Sequence, residues 1–220
     1  MTNILVKEDV FCEERSCNSS PRNALFLDRD GVIIEDKCYI SRAEDVVLCP
    51  GIEQIILNAK NSRVPVIVVT NQSGIGRGYF SWQEYDAVNN RIIELLNIEK
   101  PFAAIYANSL LPGSKSPDWR KPCPGMFLRA AEYFNINLPE SILIGDRLSD
   151  LRAGYSAGLL SLVHVLTGHG INEKKEANLF FQNCIAGSRI CHSMIQISDL
   201  TCLDQALITA RSNLHLRPKR

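Results

Sequence analysis

From residue 24 onward the chain switches repeatedly between two hydrophobic periods. "ALFL" (24–27) is a short apolar run, and "VPVIVVT" (64–70), "FAAIYA" (102–107), "SILIGD" (141–146) and "LLSLVHVL" (159–166) follow it. Runs of β-branched residues with almost no polar interruption are what parallel strands covered on both faces look like. Between them the period lengthens. "PGIEQIILNAKN" (50–61) spaces Ile52, Ile55, Ile56 and Ala59 as one helix face. Ser81 with Glu84 three residues on is a capping-box signature and predicts a helix running to about Asn97. "GMFLRAAEYF" (125–134) and "LSDLRAGYSA" (148–157) read as two more helices. "SMIQISDLTCLDQALITAR" (193–211) reads as a strand and then a helix started by Ser198 or Asp199. No element is assigned to 171–193. Residues 1–23, ending in "CNSSPRN", have linker composition and are taken as an N-terminal arm. The alternation predicts an α/β domain over 24–212, a doubly wound Rossmann-like parallel sheet, with 213–220 as a basic tail ending "RPKR".

Composition narrows the setting. A chain of 220 residues with 45% hydrophobic and 22% charged residues has globular values and fits one core. Lys plus Arg and Asp plus Glu number 24 each, so no net field draws in nucleic acid or an anionic membrane. The expected partner is a small molecule, and a monomer is expected. The N-terminus lacks the pattern of a signal peptide and no apolar run reaches membrane-spanning length, which predicts a cytoplasmic protein. The eight cysteines include no C-x-x-C pair and are expected to be free thiols, several in the core. Of the four histidines, His164 sits inside an apolar strand and reads as a core residue. Cys184, Cys191 and His192 receive no role.

In a doubly wound sheet the ligand site lies beyond the carboxyl ends of the strands. The strand ends supply Asp28, Arg29 and Asp30, then Thr70, Asn71, Gln72 and Ser73, then a loop closing on Arg120 and Lys121, then Asp146, Arg147 and, one helical turn later, Asp150. Carboxylates at that density suit a hard divalent cation such as Mg2+, and a hydroxyl with a lysine suits phosphate oxygens. Together they describe a phosphoryl-transfer centre. One aspartate can attack phosphorus while another, two residues on along an extended strand, protonates the leaving oxygen and later activates water. A D-x-D after a strand, taken alone, is equally a turn or a helix cap. "GIGRG" (74–78) reads as glycines permitting a turn beyond Thr70.

"LDRDGVI", "VVTNQSGIGRGYF", "RKPCPGM" and "IGDRLSD" resemble, in order and spacing, the four motifs of haloacid dehalogenase (HAD) superfamily phosphatases. The resemblance is strongest to the subgroup holding the D-glycero-D-manno-heptose 1,7-bisphosphate phosphatases and histidinol-phosphate phosphatases. It implies Asp28 as nucleophile and metal ligand, Asp30 as general acid/base and ligand through its backbone carbonyl, and Asp146 as third ligand of a Mg2+ ion. It implies that Thr70 and Lys121 hold the transferring phosphoryl group and that Asn71, Gln72, Ser73, Arg120 and Arg147 contact substrate. Asp36, Lys37, Cys38 and Tyr39 match a substrate-touching loop of the heptose enzymes, with Lys37 and Cys38 where that family has His and Gly. Loops of roughly 15 to 20 residues between the motifs are too short for a folded cap, so a capless enzyme is expected, recognising substrate with the 31–49 flap and the 108–120 loop.

Relatives in this subgroup carry a C-x-H and C-x-C zinc loop before the Arg-Lys-Pro motif. Here "YANSLLPGSKSPDWRKPCPG" (106–125) has Ala, Asn, Ser, Pro and Trp at those places, and Cys123 follows the motif. One thiolate cannot make a four-ligand structural site, so no zinc is expected, and Pro112, Pro117 and Trp119 are left to hold the loop. Other functions remain open at this point: histidinol-phosphate hydrolysis, DNA 3′-phosphate removal, or a receiver-type phosphoacceptor module. Asp30 speaks against the receiver, which needs a long-lived phospho-aspartate. Arg120 and Arg147 favour a bisphosphate over a cationic amino alcohol.

Overall fold

The computed structural model describes residues 2–7, 10–15, 22–114, 119–187 and 193–203. Their strands are β1 (Thr2–Lys7), β2 (Val10–Arg15), β3 (Leu25–Leu27), β4 (Val66–Asn71), β5 (Ala104–Asn108), β6 (Ile142–Gly145), β7 (Ser161–Val165) and β8 (Ser193–Ile197). They form one sheet in the order β1-β2-β5-β4-β3-β6-β7-β8. From β5 to β8 every pairing is parallel, and β1 and β2 join antiparallel at one edge. This is the expected doubly wound, Rossmann-like architecture, with no separate cap among the described residues.

Alternation along each strand builds two cores. Leu25 and Leu27, Val66 and Val68, Ile142 and Ile144, and Val163 and Val165 face one side, where they pack with Ile52, Ile55, Ile56 and Ala59 of α1 (Ile52–Asn61) and with Val88, Ile92 and Leu96 of α3 (Trp82–Leu96). Phe26, Ile67, Val69, Leu143 and Leu162 face the other, against Met126, Phe127, Ala130 and Phe134 of α4 (Gly125–Phe134), Leu151 and Ala153 of α5 (Leu148–Ser156), and Ala177 and Phe181 of α6 (Lys174–Gly187). Strands buried on both faces therefore carry no polar alternation. The helix ends follow the sequence closely. Ser81 Oγ accepts from the Glu84 amide at 3.2 Å, Glu84 Oε2 accepts from the Ser81 amide at 2.7 Å, and Asn97 closes the helix at φ 49°.

Four expectations change. Residues 2–7 and 10–15 of the N-terminal arm are antiparallel strands that extend the sheet. The sequence between them, Glu8 and Asp9, lacks the glycine or asparagine that marks a tight hairpin turn. The 171–193 segment contains α6, whose buried stripe is Ala177, Phe181 and Cys184, too short and too weakly apolar to announce itself. After β8 the chain makes a three-residue 3-10 turn, Leu200–Cys202, with Asp199 Oδ1 accepting from the Thr201 amide; the helix expected beyond it, and the basic tail at 213–220, lie outside the described residues. The glycines after Thr70 sit partly in a four-residue helix, α2 (Ser73–Gly76), and only Gly78 among them has a positive φ.

No helix among the described residues is long and apolar enough to cross a membrane. Cys38, Cys49, Cys123, Cys184 and Cys202 are free thiols, with Cys49 and Cys184 buried. His164 is a fully buried core residue: Gln196 donates to Nδ1 at 2.8 Å, which leaves Nε2 to donate to the Asp146 carbonyl at 2.9 Å. Burial holds its pKa below the ordinary histidine value.

Candidate active site

The chain leaves β3 toward β4 on one side and reaches β6 on the other, so the carboxyl end of β3 is the topological switch point. There the Asp28 amide donates to the Ile144 carbonyl at 3.0 Å, which carries the ladder one residue past the strand and fixes Asp28 beside the end of β6. Gly31, at φ 81°, then turns the backbone so tightly over Asp146 that a Cβ would lie 2.5 Å from Asp146 Oδ2. Only glycine accepts both conditions.

Asp28, Asp146 and Asp150 bring carboxylate oxygens within 4.8 Å of one another, all three buried. Lys121 is buried among them: Nζ lies 2.9 Å from Asp28 Oδ1 and 2.7 Å from Asp150 Oδ1, and donates to the Val69 carbonyl at 2.9 Å. Burial works against the ammonium, but the Asp150 and Asp28 charges outweigh it and lift Lys121 above the ordinary lysine value. For Asp28 burial wins over Lys121, and with Asp150 and Asp30 repelling it the carboxyl is pushed up to about 7. Burial, then Asp150 and Asp28, raise Asp146 as well.

These shifts describe a site short of positive charge. Asp146 Oδ2 accepts from the His169 amide at 2.8 Å, while Oδ1 is buried with no hydrogen-bond partner. An orphaned carboxylate oxygen facing two more carboxylates fits a hard cation, and oxygen ligands at this density suit Mg2+. The sign of its effect on stability follows. Without metal the folded chain holds Asp28's proton up to about pH 7, whereas the unfolded chain releases it near 3.8, so the site's contribution falls as pH rises between those values. Mg2+ requires the ionised form, so it should raise Tm by several degrees at pH 8 and by much less at pH 5. Equal shifts at the two pH values, measured by calorimetry, would count against a metal held by these carboxylates.

In front of this cluster opens a cavity of about 700 Å3. Thr70, Asn71, Gln72 and Ser73 line it from the end of β4 and the start of α2, Arg120 and Lys121 from the loop before α4, and Arg147 from the start of α5. Asp30 lines it too, with Gln72 Nε2 donating to Asp30 Oδ2 and to Thr70 Oγ1, both at 2.8 Å. Asn71 lines the cavity and also holds the lysine's backbone: Nδ2 donates to the Lys121 carbonyl and Oδ1 accepts from the Lys121 amide, both at 3.1 Å.

Asp36, Cys38 and Tyr39 form one lip of the cavity. Cys38 and Tyr39 both have left-handed φ, 54° and 59°, which explains why a glycine belongs in this turn. Lys37 is not among the lining residues; its Nζ donates to the Asp45 carbonyl at 2.9 Å, and the substrate contact expected of it is not supported by this placement. Trp119 packs on Tyr106 with ring centroids 5.8 Å apart, and Pro112 lines the cavity, whereas Pro117 lies outside the described residues.

Two residues reach the site without having been assigned to it by sequence. His169 Nε2 lies 3.0 Å from Asp36 Oδ2, and Arg147 sits 3.6 Å from the same oxygen, so the loop after β7 is tied to the lip. Glu173 lines the cavity and accepts from the Leu148 amide at 2.6 Å, capping α5. Both belong to a segment without a motif of its own. Arg29, which the sequence places at the strand end without a role, has its side chain buried beneath Asp30.

The HAD-hydrolase-like family model matches residues 118–188. The chain is 44% identical over 143 residues to D-glycero-β-D-manno-heptose-1,7-bisphosphate 7-phosphatase of Mesorhizobium japonicum, covering 62% of this chain and 66% of that one. It is 37% identical over 160 residues to the D-glycero-α-D-manno-heptose-1,7-bisphosphate 7-phosphatase of Campylobacter jejuni, covering 72% and 88%. Among solved structures, the D,D-heptose 1,7-bisphosphate phosphatase of B. bronchiseptica, complexed with magnesium and phosphate, superposes with a TM-score of 0.65 at 25% identity, over 88% of this chain and 98% of that one.

Proposed function

The chain belongs to the HAD-like hydrolases, in the branch of the heptose-1,7-bisphosphate 7-phosphatases, and from that membership we propose that it is a Mg2+-dependent phosphatase releasing one phosphate of a heptose 1,7-bisphosphate. The observation that carries this reading is the convergence of Asp28, Asp146 and Asp150 around Lys121 at the floor of a cavity that Asp30 and Thr70 also line.

Held by Asp28, Asp146 and the Asp30 carbonyl, Mg2+ would keep Asp28 ionised and offset negative charge on the transferring group. Asp28 Oδ attacks phosphorus, and as that bond forms the bond to the sugar oxygen breaks, its electron pair leaving with the sugar. Asp30 delivers a proton to that oxygen, so an alcohol leaves instead of an alkoxide. In the second half Asp30 takes a proton from water while the water oxygen attacks phosphorus and the bond to Asp28 breaks. Lys121 and Thr70 hold the phosphoryl oxygens throughout, their geometry set by Asn71 and Gln72.

Substrate choice rests on the arginines. Burial, then the positive charges of Arg147 and Arg77, hold Arg120 below the ordinary arginine value, and its NH1 is anchored on the Leu110 carbonyl at 2.6 Å. The guanidiniums of Arg120 and Arg147, both lining the cavity, favour a second anion over the cationic end of histidinol phosphate. Arg120→Ala is expected to lower kcat/KM for the bisphosphate about 10- to 100-fold, the worth of about 1.5–3 kcal/mol for hydrogen bonds to a charged group, and to change p-nitrophenyl phosphate turnover less than about threefold. A screen of heptose 1,7-bisphosphate against histidinol phosphate with Mg2+, followed by phosphorus NMR, tests the reading itself. Preference for histidinol phosphate would overturn it. Metal analysis of protein purified without chelator should find less than one zinc per chain; a full equivalent would refute the zinc-free reading of the 106–125 loop.

A further inference from the structure

Arg29 stands between the two aspartates of the D-x-D motif and borders the cavity, yet its guanidinium is committed to protein groups. It is 1% exposed and the largest fully buried side chain among the described residues. Its guanidinium runs beneath Asp30: NH2 lies 3.1 Å from both Asp30 oxygens and Nε lies 3.3 Å from Oδ1. The remaining contacts anchor the fork to other elements. NH2 also donates to Gln72 Oε1 at 3.1 Å, NH1 meets Asn89 Oδ1 of α3 at 3.5 Å, and the guanidinium carbon lies 4.9 Å from the centre of the Tyr85 ring. The Gln72 amide nitrogen closes the circuit by donating to Asp30 Oδ2.

A planar fork gripping a carboxylate from one side fixes the plane of that carboxylate as well as its position. Asp30 keeps a quarter of its side-chain surface open, on the side of the cavity. An aspartate on a turn has rotamer freedom that a proton donor cannot use, and a small error in its placement costs rate. We propose that Arg29 is a positioning residue: braced against Tyr85 and Asn89 on α3, it holds the Asp30 carboxylate in the one orientation that lets it pass a proton to and from the reacting oxygens. This rests on the phosphatase reading above. It adds a route by which Tyr85 and Asn89, on a helix behind the site, set the efficiency of the proton transfer without touching substrate.

The distinguishing readout is the leaving group. p-Nitrophenolate leaves without a proton, whereas a sugar alkoxide does not, so loss of Asp30 alignment must fall on the sugar ester in the first chemical step. Arg29→Lys keeps the charge and removes the fork. In single-turnover experiments it should slow phosphoryl transfer from a sugar phosphate about 10- to 100-fold, and leave the initial burst of nitrophenolate from p-nitrophenyl phosphate within about threefold of wild type. Asn89→Ala removes one anchor at a distance from Asp30 and should show the same selectivity in smaller degree, about threefold on the sugar ester alone, which covers the case in which Arg29→Lys folds poorly. Equal losses on both esters in a folded variant, or a fully active Arg29→Lys, would overturn the proposal. A wild-type protein inactive on both esters would instead sink the phosphatase reading.

Discussion

Asp28→Asn is expected to lower turnover by at least about four orders of magnitude while leaving the fold in place, because in the proposed mechanism it removes the nucleophile and one metal ligand together. The stability cost should be small for a reason visible in the site. Without metal, burial already pushes Asp28 to about 7, so a neutral side chain of the same shape stands where a half-protonated carboxyl stood. Lys121 retains Asp150 and the Val69 carbonyl, and the Arg29 amide can still donate to the remaining side-chain oxygen. Melting of the metal-free variant near pH 7 should therefore stay within a few degrees of wild type, but its Mg2+-dependent rise in Tm should largely vanish. Acid-quenched wild type mixed with substrate should carry a phosphate on the peptide containing Asp28, and the variant should not. Activity in the variant above about a hundredth of wild type would exclude the covalent route.

How much of this was legible in the sequence depended on whether a residue's neighbours are local. The strands from β3 to β8 and helices α1, α3, α4 and α5 announce themselves through unbroken apolar runs, the Ile52–Ile55–Ile56–Ala59 face and the Ser81–Glu84 box, all of them local signals. The convergence of Asp28, Thr70, Lys121 and Asp146 was legible because each lies at or beyond the end of a strand, and the sheet carries strand ends to one place. What stayed hidden depends on distant partners. The β1–β2 pair joins the sheet only by meeting β5, about 90 positions on, and α6 is stabilised by a narrow stripe against the far sheet face. The spacing of Asn71 cannot reveal that its amide holds the Lys121 backbone, 50 positions away. Lys37 looked like a substrate contact because it shares a loop with Asp36 and Tyr39, and only the turn of the chain directs it to Asp45. Asp150 could be read as a helix cap or as a site carboxylate. It is both: Oδ2 accepts from the Arg147 amide at 3.0 Å and Oδ1 lies 2.7 Å from Lys121.

Lys121→Met tests how the site balances its charges, and it should damage stability and activity through separable causes. The side chain is buried with its ammonium between Asp28 and Asp150, so an apolar replacement of similar volume leaves two buried carboxylates without their cation. Removing one partner of a buried pair costs about 3–5 kcal/mol. At about 2–4 °C per kcal/mol for a chain of this size, metal-free Tm should fall by about 6–20 °C at pH 8. The deficit should shrink at pH 5. Asp28 titrates at about 7 even with Lys121 present, so without it the folded carboxyl is raised further and takes up its proton as pH falls from 8 to 5, which removes the repulsion with Asp150. Turnover should drop about 100- to 1,000-fold from loss of a preorganised donor on the transferring phosphoryl group. Adding Asp150→Asn to Lys121→Met relieves the repulsion without supplying a cation. The double variant should recover much of the lost Tm and none of the lost rate. Recovery of both would make Lys121 a structural counter-ion with no part in phosphoryl transfer, and recovery of neither would show that the lysine's contact with Asp28 and the Val69 carbonyl, not its pairing with Asp150, holds this end of the sheet together.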